Sequence, residues 1–293
     1  LLPQSRWDLH GVVCLSLHHT QNLLHDNQAP AFAKKLKGSM MCQDIFVEVS
    51  HGPTLIDHNI LLSDVSLRFA TQGVAMVHNL ICGALTDVGG GTAPRYTPYH
   101  IPHRTEVMGF MTFLHGDDRF YNNIFVQKYP AQDVLTRHDS DDGVDSENRV
   151  VGTWTFDEYP TFEEWSAQFD FSKPANMKAL EPAHFGHLPV WSEGNLYLGG
   201  AKAWKKEVNG QVVDNTSEDI RVELVEKEGK YYLDTNVYEF LGDFADRMIN
   251  TEILGKAFEP EQYFENPDRT PITFNTDYFG EHRGVTVIPG PFA

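Results

Sequence analysis

Basic residues are scarce in this chain: 23 Lys and Arg stand against 41 Asp and Glu, a formal charge of −18. A surface so acidic repels phosphate backbones, which excludes nucleic acid as a partner, and it argues against lyase action on anionic polysaccharides. Cysteine is nearly absent. Cys14, Cys42 and Cys82 are too few for a disulfide framework and sit in apolar context, so a reducing, cytoplasmic setting is expected. No apolar run approaches the length of a membrane span, so no membrane association is expected. Leu1-Leu-Pro-Gln shows neither an initiator Met nor a signal pattern, and the expectation is a fragment or one piece of a processed polypeptide. What the chain does have is 41% apolar residues over 293 positions, enough for one large β domain or two smaller ones.

It also has a repeat. Asn22-Leu-Leu-His-Asp-Asn27, Thr54-Leu-Ile-Asp-His-Asn59, Ala75-Met-Val-His-Asn79 and Arg119-Phe-Tyr-Asn-Asn123 each close on Asn, and the last three lead into short apolar runs. Strand-sized phrases that return in this way predict an all-β chain wound as a right-handed parallel β-helix, with Asn stacked on Asn. Neighbouring passes would lie about 4.8 Å apart. A second alignment sets Gly11-Val-Val-Cys-Leu15, Asp44-Ile-Phe-Val-Glu48 and Gly73-Val-Ala-Met-Val77 above one another.

The expected organisation is residues 1–130 as coils carrying the active site, then 131–293 as further coils with a packed antiparallel extension. Two excursions, Gln28 to Gln43 and Ala84 to Pro102, are long enough to carry function, the second re-entering the coil at Val107-Met-Gly-Phe. Arg137 to Glu147 is acidic and turn-forming, a candidate boundary whose plainer reading is a solvated surface. Phe162-Glu-Glu-Trp-Ser-Ala-Gln-Phe reads as a short helix, Asn195-Leu-Tyr-Leu as a further strand, and Ile220 to Asn236 as a hairpin about a Glu-Gly turn.

Glu48 stands where neighbouring strands carry apolar groups, a setting that suits a proton-holding general acid as readily as a strand end facing solvent. Retaining glycosidases use two carboxylates about 5 Å apart, a separation that adjacent passes provide. Spacing offers Asp26 as the partner, whereas strand alignment puts Leu15 beneath Glu48. Both remain open. Tyr99, His100, His103, Arg104 and Glu106 form a cluster dense in rings and hydrogen-bonding groups, the kind of set that holds sugars. A loop tied down by its own ion pairs is the plainer reading. His100, His103 and Glu106 could serve a metal, but Pro102 spoils the helical spacing, so no metal or cofactor is expected.

Asp44 to Ser63, Gly73 to Leu80 and Gly116 to Phe125 together resemble glycoside hydrolase family 120, β-xylosidases on a right-handed parallel β-helix. The resemblance implies a retaining exo-β-xylosidase releasing xylose from xylo-oligosaccharides, without cofactors. It implies Glu48 as acid/base and an Asp nucleophile on the adjacent coil; with that centre, His51, His103, Arg104 and Glu106 are expected to hold sugar hydroxyls. The family's chains extend further at the N-terminus, which implies a fragment or one half of a processed enzyme, and an acidic solenoid with an open end needs a cap, so a homo-oligomer or a companion fragment is expected. Gly11-Val-Val-Cys-Leu-Ser16 occupies the nucleophile's place without a carboxylate. The alternative is therefore a non-catalytic carbohydrate-binding or assembly protein.

Overall fold

The computed structural model describes residues 9–10, 17–27, 43–87, 96–128, 137–139, 144–146, 150–169, 172, 185–214 and 219–292. These residues are nearly all strand, and most strands belong to three parallel sheets visited in turn. The first sheet holds Leu9–His10, Gln43–Glu48, Val65–Ala70 and Ala84–Asp87. Leu17–Thr20, Thr54–Asp57, Val74–Val77, Asp118–Tyr121 and Val190–Glu193 make the second. In the third are Leu23–Leu24, Ile60–Leu61, Leu80–Ile81, Ile124–Val126, Leu196–Leu198 and Gln211–Val213. Parallel pairing thus continues well past residue 130. No described helix is long and apolar enough to cross a membrane.

A ladder of asparagines fixes the turn between the second and third sheets. Asn22, Asn59 and Asn79 each donate backbone N–H and side-chain Nδ2 to the Oδ1 of the next Asn, at 2.9–3.1 Å, and Asn123 does the same to Asn195. The Nδ2 groups of Asn59, Asn79, Asn123 and Asn195 also donate to the carbonyls of His19, Ile56, Met76 and Phe120. Glu207 ends the ladder by accepting both Asn195 donors. Burial above all raises the Glu207 carboxyl to about 7, against hydrogen bonds from Ser192, Asn195 and Tyr197. Before each ladder Asn comes a left-handed residue: Gln21, His58, His78, Asn122 and Gly194, with φ between 51° and 70°. That conformation swings the chain through the corner, and Asn, His and Gly tolerate it best.

Alternation within the strands sends Ile45, Val47, Ile56, Leu67, Phe69, Met76, Phe120 and Phe125 inward to one core. Outside, the C-terminal part covers the second sheet with Ile249, Leu254, Phe264, Ile272 and Phe274, and the third with Val222, Val237, Leu241 and Tyr278. The outer face of the first sheet is different. Among the described residues, its buried apolar side chains are the pair Phe46 and Ala70.

Several expectations change. The first phrase is anchored at Asn22, because Asn22 heads the third-sheet strand while Asn27 donates to Asp44. Asp44–Glu48 stacks on Ser66–Ala70, and Gly73–Val77 runs into the second sheet, so the two do not superpose. The pass beneath contributes Leu9 and His10 opposite Phe46 and Val47. Leu15, Cys14 and Cys42 lie outside the described residues. Ala84–Asp87 pairs with the first sheet and so belongs to the stack, and Val107–Met111 pairs antiparallel with Thr97–His100 as a hairpin of its own. The expected short helix is Phe162–Ser166, capped reciprocally by Thr161 and Glu164. The expected hairpin is Val222–Lys227 with Lys230–Thr235, turning on left-handed Glu228 and Gly229.

Asn79→Ala removes a mid-ladder acceptor of two donors and strands them in a buried corner. A loss of about 2–4 kcal/mol in urea unfolding is expected; a loss below about 1 kcal/mol would show the ladder to be incidental.

Candidate functional site

Glu48 ends its strand on the outer face of the first sheet, sharing that face with Phe46 and, on the next pass, with Arg68 and Ala70. The register sets Glu48 opposite Ala70 and Phe46 opposite Arg68, so the carboxylate and the guanidinium are diagonal neighbours. Arg68 is 5% exposed and lies 5.5 Å from the centre of the Phe46 ring. Glu48 itself is half-buried. An arginine on a nearly closed sheet face is costly, and its planar donors suit carboxylates or vicinal hydroxyls.

Backbone geometry at this place is unusual. Val49 takes φ 49°, a left-handed conformation that a β-branched residue avoids. Its N–H still donates to Ala70 O at 2.9 Å, which holds the strained residue in place directly after Glu48. The turn continues through Ser50, whose carbonyl accepts from Thr71 Oγ1 and Gln72 N, to Gly52 at φ 75°. A Cβ on Gly52 would stand 2.4 Å from the Gly73 carbonyl oxygen. Two passes therefore touch backbone to backbone just beyond Glu48. Strain concentrated at one turn is a mark of functional sites.

The residues singled out from sequence are distributed unevenly around this centre. His51 is buried in the same turn, donating Nε2 to Thr97 O at 3.2 Å, with its ring edge-on to Tyr99 at 5.7 Å. Burial lowers its pKa, against hydrogen bonds to the Thr97 and Met111 carbonyls, which suits a neutral ring that ties the hairpin down. His100 bonds Thr105 O within the hairpin. His103 leaves the cluster, pairing with Glu265 at 2.9 Å. Arg104 and Glu106 pair with each other at 3.5 Å in solvent, the plainer reading of that loop.

Asp26 is not brought to Glu48. It is exposed, pairs with His25 at 2.7 Å, and lines an open cleft of about 630 Å³ with Lys128, Glu223, Glu226 and Tyr231. Its neighbour Asn27 bonds Asp44, at the opposite end of the strand that Glu48 closes. Four residues of strand separate those ends by about 13 Å. The residue that would continue the lower pass under Glu48 lies beyond His10, outside the described residues.

Some candidates were missed from sequence. Arg68 could have been found as a charge inside the apolar strand Val65-Ser-Leu-Arg-Phe-Ala. Asp57 sits on the covered face of the second sheet and accepts from His18, from Thr20 Oγ1 at 2.8 Å and from His58 Nδ1 at 2.7 Å. Burial opposes its charge, yet these histidines outweigh it and hold the carboxyl below its usual range. Nothing in its phrase, Leu-Ile-Asp-His-Asn, distinguishes that role from a turn residue. Among the described residues, no group of three His, Cys, Asp or Glu is arranged to hold a metal.

Comparison with known proteins gives one kind of answer. A solved structure of XylC in complex with xylose matches with a TM-score of 0.74 and 28% identity, covering 94% of this chain and 37% of that one. The chain thus shares its fold with a little over a third of XylC. No protein-family profile and no curated protein matches it.

Val49→Gly tests the strain. Glycine adopts the left-handed region freely, so the variant is expected to be as stable as the wild type or more so, with relief of about 1–3 kcal/mol offsetting the lost side chain. Urea unfolding showing a loss above about 1 kcal/mol would mean that Val49 is not strained.

Proposed function

We propose that the three parallel sheets are the walls of a right-handed parallel β-helix and that the outer face of the first sheet is the sugar-binding face of a glycosidase. The substrate class is xylo-oligosaccharide, attacked from the non-reducing end with retention. The observation that carries this reading is Glu48 at a strained turn, diagonal to the buried Arg68, in a chain that shares its fold with XylC, a protein seen with xylose bound. Glu48, half-buried, supplies the proton for the glycosidic oxygen, and Arg68, buried against Phe46, fixes the carboxylate. His51 and Tyr99 hold the hairpin beside the site, while His100, His103, Arg104 and Glu106 shape its outer edge.

A retaining mechanism needs a second carboxylate about 5 Å from Glu48. Neither Ala70, its register partner, nor Asp26 supplies it. Residues 11–16 hold no carboxylate either, so in this reading the nucleophile comes from a companion chain. That same observation favours a second reading, in which the face binds xylo-oligosaccharide without cleaving it.

Glu48→Gln keeps the shape and removes the acid. In the first reading the wild type hydrolyses an aryl β-xyloside, releasing the β-anomer first by NMR, and the variant loses about 10²–10⁴-fold in kcat on xylobiose, whose leaving group needs protonation. Full activity in the variant would remove Glu48 from the mechanism. Saturable xylobiose binding by a wild type that never turns over would establish the second reading.

A further inference from the structure

The C-terminal segment from Asn250 to Glu265 does more than cover the second sheet. It is strapped down by Arg119, whose Nε donates to Leu254 O at 2.6 Å and whose Nη2 donates to Lys256 O at 2.8 Å. The guanidinium lies 4.6 Å from both the Trp191 and Phe264 rings, and it pairs with Asp117 at 2.8 Å. Asp117 in turn accepts from Phe258 N at 2.9 Å. All of this fixes the segment that carries Glu259, whose Oε2 accepts from Gln72 Nε2. Gln72 is fully buried; its Oε1 accepts from Leu114 N at 2.6 Å and its backbone N–H donates to Ser50 O. Ser50 is two residues beyond Glu48.

We propose that Glu259 is a positioning residue of the candidate centre: delivered by the C-terminal strap, its carboxyl fixes Gln72 and, through it, the Ser50–His51 turn that follows Glu48. This rests on the reading of Glu48 above, and it adds a segment about 200 residues away in sequence to the parts that set the site's geometry. The alternative is that Glu259 merely fills space at the end of the strap, with the turn held by Thr71 and Val49 alone.

The proposal carries a pH dependence. Burial, and next the nearby Asp117 charge, raise the Glu259 carboxyl to about 7, against its own backbone N–H and Gln72. Burial likewise raises Asp117 to about 6, against Arg119 and the Phe258 N–H. The charged groups that face the pair are each other and Arg119 from the second sheet, which is ion-paired to Asp117, while Gln72 bonds Glu259 and the Phe258 N–H bonds Asp117. A carboxyl raised in the folded state stabilises fully below its ordinary value and loses that contribution as pH rises through the folded value. For Glu259 the strap therefore weakens from roughly pH 4.5 upward and has lost this contribution above about 7.

Amide hydrogen exchange over residues 48–53, corrected for intrinsic pH dependence, reads the turn without requiring turnover. Protection is expected to fall at least about fivefold between about pH 5.5 and about pH 8.5 in the wild type. Glu259→Gln, uncharged at both, should abolish most of that fall, and Glu259→Ala should show low protection throughout. The kcat on an aryl xyloside should follow the same order, with the alkaline limb raised by Gln and not by Ala. An equal fall in the wild type and Glu259→Gln, or wild-type protection in Glu259→Ala at about pH 5.5, would overturn the proposal. Should the wild type show the exchange pattern and no turnover, the positioning role stands and the glycosidase reading fails.

Discussion

An amide ladder holds this molecule in register. Each asparagine from Asn59 to Asn195 accepts the backbone N–H of the ladder asparagine before it, at a corner where a left-handed residue has just turned the chain out of the sheet ladder. Without those side chains the corner would bury orphan donors, and the passes could slide by a residue. A one-residue slip reverses every side chain between core and surface. The ladder therefore decides which residues of the first sheet face outward, and Glu48 with Arg68 is the consequence.

The three outer faces are not treated alike. The C-terminal part lays apolar side chains over the second and third sheets, while on the first the buried apolar residues of the outer face are, among the described residues, Phe46 and Ala70. The same covering segment is locked by Arg119 between two aromatic rings, with its donors on Leu254 and Lys256 carbonyls. Cover and candidate site thus share a mechanical link. Strain at Val49 and the contact of Gly52 with Gly73 concentrate at that junction, where a small movement of the strap would be felt by Glu48.

Much of the fold was legible in the sequence. Asn59, Asn79 and Asn123, each before two apolar residues, announced stacking, and the alternation from Val222 to Thr235 announced the hairpin. The intervals between successive ladder residues explain what was missed: 37, 20, 44 and 72 residues. Excursions of unequal length destroy the period, so the sequence shows Asn195 only as part of a strand and does not separate Asn22 from Asn27 as the stacked residue. Strands of the first and second sheets are equally apolar, so Asp44–Glu48 and Gly73–Val77 looked interchangeable when only the corner residues tell them apart. Of the site, Glu48, His51 and Tyr99 fall in one neighbourhood, whereas His103, Arg104 and Glu106 spend their charges on Glu265 and on each other. Asp117 and Glu259 were invisible because their proximity depends on the strap, a contact no local pattern encodes.

A crystal of the chain soaked with xylobiose tests most directly whether the ladder builds a sugar site on the first sheet. The expected result is a sugar beside Glu48, with its glycosidic oxygen about 3 Å from the Glu48 carboxyl. Sugar seated in the cleft beside Asp26 and Tyr231, with the first sheet bare, would contradict the account.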